Sequence, residues 1–204
     1  MSLKLFLDLD RTLFRTSELD AAEWGLLGRQ FGIDSEVELA RRTDFHVRTE
    51  KAYYYDFAAH VRAAGLDDEE TFSFLLQSAL ADGRMEYDGV AELVVWARQC
   101  GSVHVLTYGP KDYQQFKAAL CPSLKEIEII TTLQPKGDYF REQHPTSEAW
   151  MVDDKPIGGD LPDTVRFIQT AEYNGIVAPE HPAWLVATAL SQIPEIVDRY
   201  ELSN

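Results

Sequence analysis

Leu5-Phe6-Leu7-Asp8-Leu9-Asp10-Arg11-Thr12-Leu13 is an apolar run that stops at two aspartates one residue apart, with a threonine two places on. A strand sends successive side chains to opposite faces, so Asp8 and Asp10 are expected on one face, about one pleat apart. Two carboxylates that close repel each other unless a cation or a proton lies between them. Mg²⁺ and a phosphate group are the natural occupants, and the stretch reads as a phosphoryl-transfer site. Taken alone, the same residues also describe a strand end with two turn-capping acids. A second acidic pair, Asp153-Asp154, follows another apolar run, Ala149-Trp150-Met151-Val152, and tips the reading toward chemistry.

Further short apolar runs lie downstream, Val103-His104-Val105-Leu106-Thr107 and Ile127-Glu128-Ile129-Ile130-Thr131. Bounded by turn residues and separated by helical stretches, they predict buried parallel strands in an α/β fold. A fifth strand is expected at Val165-Arg166-Phe167-Ile168-Gln169, with Gly175-Ile176-Val177-Ala178 as the alternative. The first choice leaves room for only a short crossover. Between Phe14 and Glu86 no strand is expected. Helical periodicity runs through residues 18–31, 36–42, 50–64 and 69–81. Gly32, Gly65 and Gly83 sit near helix ends, and Ser17, Asp34 and Asp67 are candidate N-caps. A core of residues 1–14 and 87–204 is therefore expected, interrupted by a helical insertion over 15–86. A helix over 90–100, capped by Asp88 and ended by Gly101, returns to the core, and a last helix is expected over 182–190 with a continuation to Tyr200.

The 204 residues suffice for one core and an inserted lobe. A formal net charge of -15 disfavours a nucleic-acid partner, which calls for a basic stripe. Cys100 and Cys121 form no CxxC and have no histidine at metal spacing, which suits a reducing compartment. No apolar run approaches the ~18 residues of a membrane span. The chain runs from Met1 almost directly into a strand, leaving no room for a signal peptide. A soluble, cytoplasmic protein is expected; the sequence carries no signal for oligomeric state.

Four chemical signals fall at the C-terminal ends of four expected strands, where open α/β sheets place ligands. They are Asp8, Asp10 and Thr12; Thr107, followed by Tyr108-Gly109-Pro110; Lys136 in Gln134-Pro135-Lys136-Gly137; and Asp153-Asp154. In this order they resemble the motifs of the haloacid dehalogenase-like (HAD) superfamily: DxDxT after a strand, a strand ending in Ser or Thr, a lysine, and an acidic pair. Lys111 and Lys125 compete with Lys136 for the third place. Arg11 stands where many relatives carry glycine, and Asp160 lies slightly beyond the usual spacing of a further acid.

The resemblance implies a Rossmann-like parallel-sheet HAD core with an inserted all-helical C1 cap. It also implies Mg²⁺-dependent phosphate-monoester hydrolysis through an aspartyl-phosphate. Asp8 would be the nucleophile and Asp10 the general acid and base. Mg²⁺ would be held by the Asp8 carboxylate, the Asp10 backbone carbonyl and Asp154, with Asp153 in the outer shell or sharing the role. Thr107 would donate to a phosphoryl oxygen, and Lys136 would neutralise the transferred group and Asp8.

Within the insertion, Tyr53-Tyr54-Tyr55 and Phe57 read first as packing residues on a helix. His46, Arg48 and Lys51, together with Arg11, are candidate contacts to a substrate. A small phosphorylated metabolite is the expected substrate class, because a closed cap encloses small molecules. A phosphomutase is an alternative, as it shares the intermediate. A dehalogenase is disfavoured by Asp10, and a phosphonatase by the want of an evident Schiff-base lysine. A sensor or scaffold that binds metal without turnover is the non-enzymatic alternative. A response-regulator receiver should carry adjacent acids at its first strand, and this chain does not.

Overall fold

The computed structural model describes residues 3–49, 53–82, 84–144, 146–170 and 185–203. The chain opens with β1 (Leu3–Leu7) and continues through α1 (Thr16–Phe31) and α2 (Ser35–Arg41). A short antiparallel ribbon of β2 (His46–Arg48) and β3 (Tyr53–Tyr55) follows, then α3 (Phe57–Ala63) and α4 (Asp68–Leu76). The remainder alternates: α5 (Val90–Cys100), β4 (Gly101–Tyr108), α6 (Lys111–Ala119), β5 (Glu128–Thr132), α7 (Lys136–Gln143), β6 (Ala149–Asp153), β7 (Val165–Thr170), β8 (Leu185–Ala187) and α8 (Ile193–Ser203).

Six strands form one parallel sheet in the order β5-β4-β1-β6-β7-β8. The apolar runs make this possible because both sheet faces are covered. On one face α5 buries Val90, Leu93, Val94 and Ala97, a helical i, i+3, i+4, i+7 stripe, in the main core. On the other, Phe6, Leu106, Met151 and Phe167 pack with Phe140 of α7. The chain leaves β1 for β4 on one side and later returns to β6 on the other. β1 is therefore the switch point, where such sheets open a crevice beyond the strand ends. Leu7 pairs with both Val105 and Val152, so β1, β4 and β6 deliver their next residues to one level.

Five sequence expectations need correction. Residues 46–48 and 53–55 are strands, not part of a helical insertion without strands, and the helix expected over 50–64 begins only at Phe57, capped by Asp56. Tyr53, Tyr54 and Tyr55 run from exposed through intermediate to buried, and both Tyr53 and Tyr55 pair across the ribbon, as aromatic residues favour. Residues 185–187, expected in the last helix, add a strand to β7, and α8 starts at Ile193. Among the caps, Asp34 and Asp67 accept backbone N–H groups as expected. α1, however, starts after Arg15 rather than at Ser17, and α5 starts after Gly89 rather than Asp88. The fifth strand is the first choice, β7, reached from β6 through a single 3₁₀ turn at Gly158–Asp160. Gly83, Lys51 and the alternative strand at 175–178 lie outside the described residues. Among the described residues no helix is long and apolar enough to cross a membrane.

Candidate active site

Asp8 is the first residue past β1. Its N–H donates to the Val152 carbonyl at 2.9 Å, which locks it to the end of β6. The residue is 5% exposed. Oδ1 accepts a hydrogen bond from Lys136 Nζ at 2.5 Å, and Thr12 Oγ1 lies 3.4 Å from Oδ2. Lys136 opens α7 and also donates to Asp153 Oδ2 at 2.6 Å. Gly137 allows this placement: a Cβ there would lie 2.0 Å from the Asp160 carbonyl oxygen, so only glycine lets the first turn of α7 press against the 158–160 turn. Asp153, which ends β6, accepts the Lys155 N–H at 2.8 Å through its other oxygen.

Asp8, Asp153 and Asp154 are all buried, and each offers one carboxylate oxygen within 4.8 Å of the others. Burial pushes the Asp8 carboxyl up; Lys136 opposes the shift, while Asp153 and Asp10 add to it. Burial likewise raises Asp153 against the pull of Lys136. Burial works against the charge on Lys136, but Asp153 and Asp8 outweigh it and hold the ammonium above the ordinary lysine range. Two of the three buried carboxylates, Asp8 and Asp153, thus share one lysine. An all-oxygen set with an excess of negative charge fits a hard divalent cation such as Mg²⁺.

Asp10 is held differently. Lys117 Nζ donates to its two oxygens at 2.5 and 2.7 Å, Thr16 Oγ1 donates to Oδ1 at 2.7 Å, and Gln114 Nε2 donates to Oδ2 at 3.1 Å. Burial would raise its pKa, but Lys117, Thr16 and Gln114 together pull it below the usual carboxylate value. Gln114 also accepts from Thr107 Oγ1 at 3.1 Å and donates to the Tyr108 carbonyl at 2.9 Å, so one amide joins Asp10 to Thr107. Gly109 makes room for that amide. Its φ is +143°, and a Cβ there would lie 2.5 Å from Gln114 Nε2.

The structure therefore brings Asp8, Lys136, Asp153 and Asp154 together, and joins Asp10 to Thr107 through Gln114. The acidic cluster comprises Asp8, Asp153 and Asp154, and the Asp10 carboxylate is paired with Lys117 instead. Of the competing lysines, Lys136 is the one on Asp8. The exposed Asp160 side chain stands outside the acidic cluster. Arg11 is exposed and adopts φ +62°, with its N–H donated to the Phe14 carbonyl at 2.9 Å. His46 stacks on Tyr53 at 5.0 Å, and the Arg48 guanidinium lies over the same ring at 5.4 Å. The Tyr53 N–H donates to the Tyr108 hydroxyl at 2.9 Å, which ties the ribbon to the end of β4. Lys51 lies outside the described residues. Thr16, Gln114 and Lys117 were not foreseen. The one available signal was the i, i+3 spacing of Gln114 and Lys117 on a helix that starts just after Thr107.

No family model matches the chain, and no curated protein does. Solved structures match along nearly its whole length. A protein described as a haloacid dehalogenase-like hydrolase from Burkholderia xenovorans LB400 is 20% identical, with 98% of each chain covered and a TM-score of 0.68. The HAD-hydrolase YfnB from Bacillus subtilis, solved with magnesium, is 17% identical over 97% of this chain and 99% of that one, with a TM-score of 0.61. A variant of CbbY from Rhodobacter sphaeroides, in complex with xylulose-1,5-bisphosphate, is 16% identical over 94% and 96%, with a TM-score of 0.57. The chain has the fold of the haloacid dehalogenase-like hydrolases.

Proposed function

We propose that the protein is a Mg²⁺-dependent phosphatase that hydrolyses a small phosphorylated metabolite through an aspartyl-phosphate on Asp8, in the cytoplasm. The observation that carries this reading is the Asp8 carboxylate at the switch point of the sheet, 2.5 Å from Lys136 and clustered with Asp153 and Asp154. The magnesium bound to YfnB and the sugar bisphosphate bound to CbbY support it. Residues 1–14 and 87–204 form the core in this reading, and residues 15–86 the cap.

In the first step an Asp8 oxygen attacks phosphorus in line, the bond from phosphorus to the leaving oxygen breaks, and Asp10 gives that oxygen its proton. In the second, Asp10 takes a proton from water, the water oxygen bonds to phosphorus, and the Asp8–phosphorus bond breaks to restore the carboxylate. Lys136 balances charge on the transferred group and on Asp8. Thr107 donates to a phosphoryl oxygen once its hydroxyl turns from Gln114. Asp8, Asp153 and Asp154 would hold the cation, with the Asp10 carbonyl beside them. When bound, Mg²⁺ offsets the repulsion between nucleophile and phosphate. Arg11, His46, Arg48 and Lys51 are the proposed contacts to the rest of the substrate.

Hydrolysis of an aryl phosphate, with Mg²⁺ and with EDTA, tests the reading on the wild type beside Asp8→Asn. Metal-dependent turnover that disappears in the variant is the expected result. Substantial phosphatase activity remaining in Asp8→Asn sinks the mechanism.

A further inference from the structure

We propose that Lys117 is a positioning residue for Asp10, fixing the orientation from which that carboxyl exchanges its proton with the leaving group. The inference rests on the phosphatase reading above and assigns a new part to α6.

Lys117 is 2% exposed. Lysine is seldom buried so fully, and a buried ion pair adds little to stability beyond what apolar residues of the same size supply. Packing therefore gives no reason for this lysine, whereas geometry does. Its Nζ reaches both oxygens of Asp10, at 2.5 and 2.7 Å, and lies 4.9 Å from the centre of the Tyr113 ring. Thr16 and Gln114 hold the same carboxylate from two further directions. A carboxylate offers about four lone-pair sites, and these four contacts account for them. The group consequently sits in one rotamer before any substrate arrives. The proton is carried by giving up one lysine contact while the other persists: Asp10 takes it from water at the end of one turnover and gives it to the leaving oxygen in the next. Gln114 carries the same constraint to Thr107, the proposed phosphate donor, so acid and phosphate donor are set by one helix. Without Lys117 the Asp10 side chain keeps two neutral donors and gains freedom to turn, and the penalty falls on the step that needs its proton.

That step can be isolated by the leaving group. A nitrophenolate leaves without a proton, whereas an alkoxide does not. Pre-steady-state release of the leaving group from 4-nitrophenyl phosphate and from glycerol phosphate, which reads the first step apart from the water step that Asp10 also serves, is to be compared for the wild type, Asp10→Asn, Lys117→Met and the double variant. Lys117→Met is expected to slow glycerol release by about tenfold or more, while 4-nitrophenol release loses less than about threefold. KM should stay within about twofold on both. In the Asp10→Asn background, Lys117→Met should add nothing further. Lys117→Gln retains a hydrogen-bond donor and supplies the same comparison should the methionine variant not fold. An equal loss on both substrates, or a further loss in the Asp10→Asn background, overturns the inference and leaves the phosphatase reading standing. A wild type without turnover on either substrate overturns the phosphatase reading and the inference with it.

Discussion

Asp8 and Asp10 stand two residues apart at the end of one strand, yet their surroundings are opposite. Around Asp8 there are two further buried carboxylates and one lysine, and its carboxyl is pushed up by burial. Around Asp10 there is one lysine for one carboxylate, with two neutral donors besides, and its pKa is pulled down. Topology makes the difference. The neighbours of Asp8 come from β6 and α7, whereas those of Asp10 come from α1 and α6. The spacing of the two acids supplies a pair, and their neighbours divide it into a charge-rich cation site and a balanced acid. Two carboxylates in unlike environments are the usual way one site obtains two roles.

Asparagine substitutions separate the two regions most sharply. Asp8→Asn is expected to lower kcat on an aryl phosphate by at least about a thousandfold, since an amide is a poor nucleophile. It should fold as well as the wild type or better, because it removes one of three crowded carboxylates. Asp10→Asn is expected to cost about 10²- to 10⁴-fold on an alkyl phosphate. It should also melt earlier, by about 3 kcal/mol, because Lys117 loses its countercharge inside the protein. Thermal melts beside initial rates check both. If the two variants shift stability in the same direction, the contrast between the two environments is wrong.

The cation should answer only to the first region. Saturating Mg²⁺ is expected to raise the melting temperature of the wild type, by about 2.7 kcal/mol of stability at a hundredfold excess over Kd. EDTA should remove both the shift and the turnover. Asp154→Asn should flatten the Mg²⁺ titration, and Asp10→Asn should leave it, since the Asp10 carboxylate stands outside the acidic cluster. Loss of the shift in Asp10→Asn would move the cation toward the second region.

The first region was legible because each of its members is a short string at the end of an apolar run. Asp8 follows β1, Asp153 ends β6 with Asp154 next to it, and Lys136 follows the turn after β5. The partners of Asp10 were not, because helix positions carry no such punctuation. Gln114 and Lys117 look like any polar pair on an amphipathic helix until the pairing of β4 with β1 places them over Asp10. The ribbon was misread for a related reason: a short aromatic run has no period long enough to tell a strand from a helix. Leu185-Val186-Ala187 is shorter still, and only its pairing with β7 makes it a strand.

A third acid tests whether balance, rather than burial, is what sets Asp10 apart. Glu23 on α1 is fully buried, and its oxygens lie 3.1 and 3.3 Å from the Tyr113 hydroxyl that donates to them. Burial first, then Asp20, push its pKa well above the ordinary value, and Tyr113, Arg42 and Lys117 recover only part of this. A raised acid stabilises the fold fully below its unfolded value, near 4.5, and loses that contribution as pH climbs toward the folded value. Glu23→Gln should therefore match the wild type near pH 5 and melt above it by about 3 °C or more at pH 8. Parallel melting curves across that range would show that Glu23 is compensated as Asp10 is.

The smallest effect is expected at Arg11, where the chain turns after the second acid. Its φ of +62° places an L-residue in the left-handed region, at a cost of about 1 kcal/mol or more. The turn is fastened by Arg11 N–H to the Phe14 carbonyl at 2.9 Å and by Leu13 and Phe14 N–H to the Leu9 carbonyl at 3.0 and 2.9 Å. It brings Thr12 back toward Asp8 while Asp10 faces α6, so it is the backbone device that lets the two acids diverge. Glycine takes this conformation freely but loses more entropy on folding, which offsets about half of the relief. Arg11→Gly should thus gain about 0.5 kcal/mol, seen as a rise of about 1–2 °C in melting temperature. kcat should be unchanged, because the turn is kept, while KM should rise, because the glycine gives up the proposed contact to the substrate. Arg11→Val, whose branched side chain resists positive φ, should lower both stability and turnover. If glycine leaves KM unchanged while valine lowers kcat, the turn rather than the arginine side chain is what the site uses.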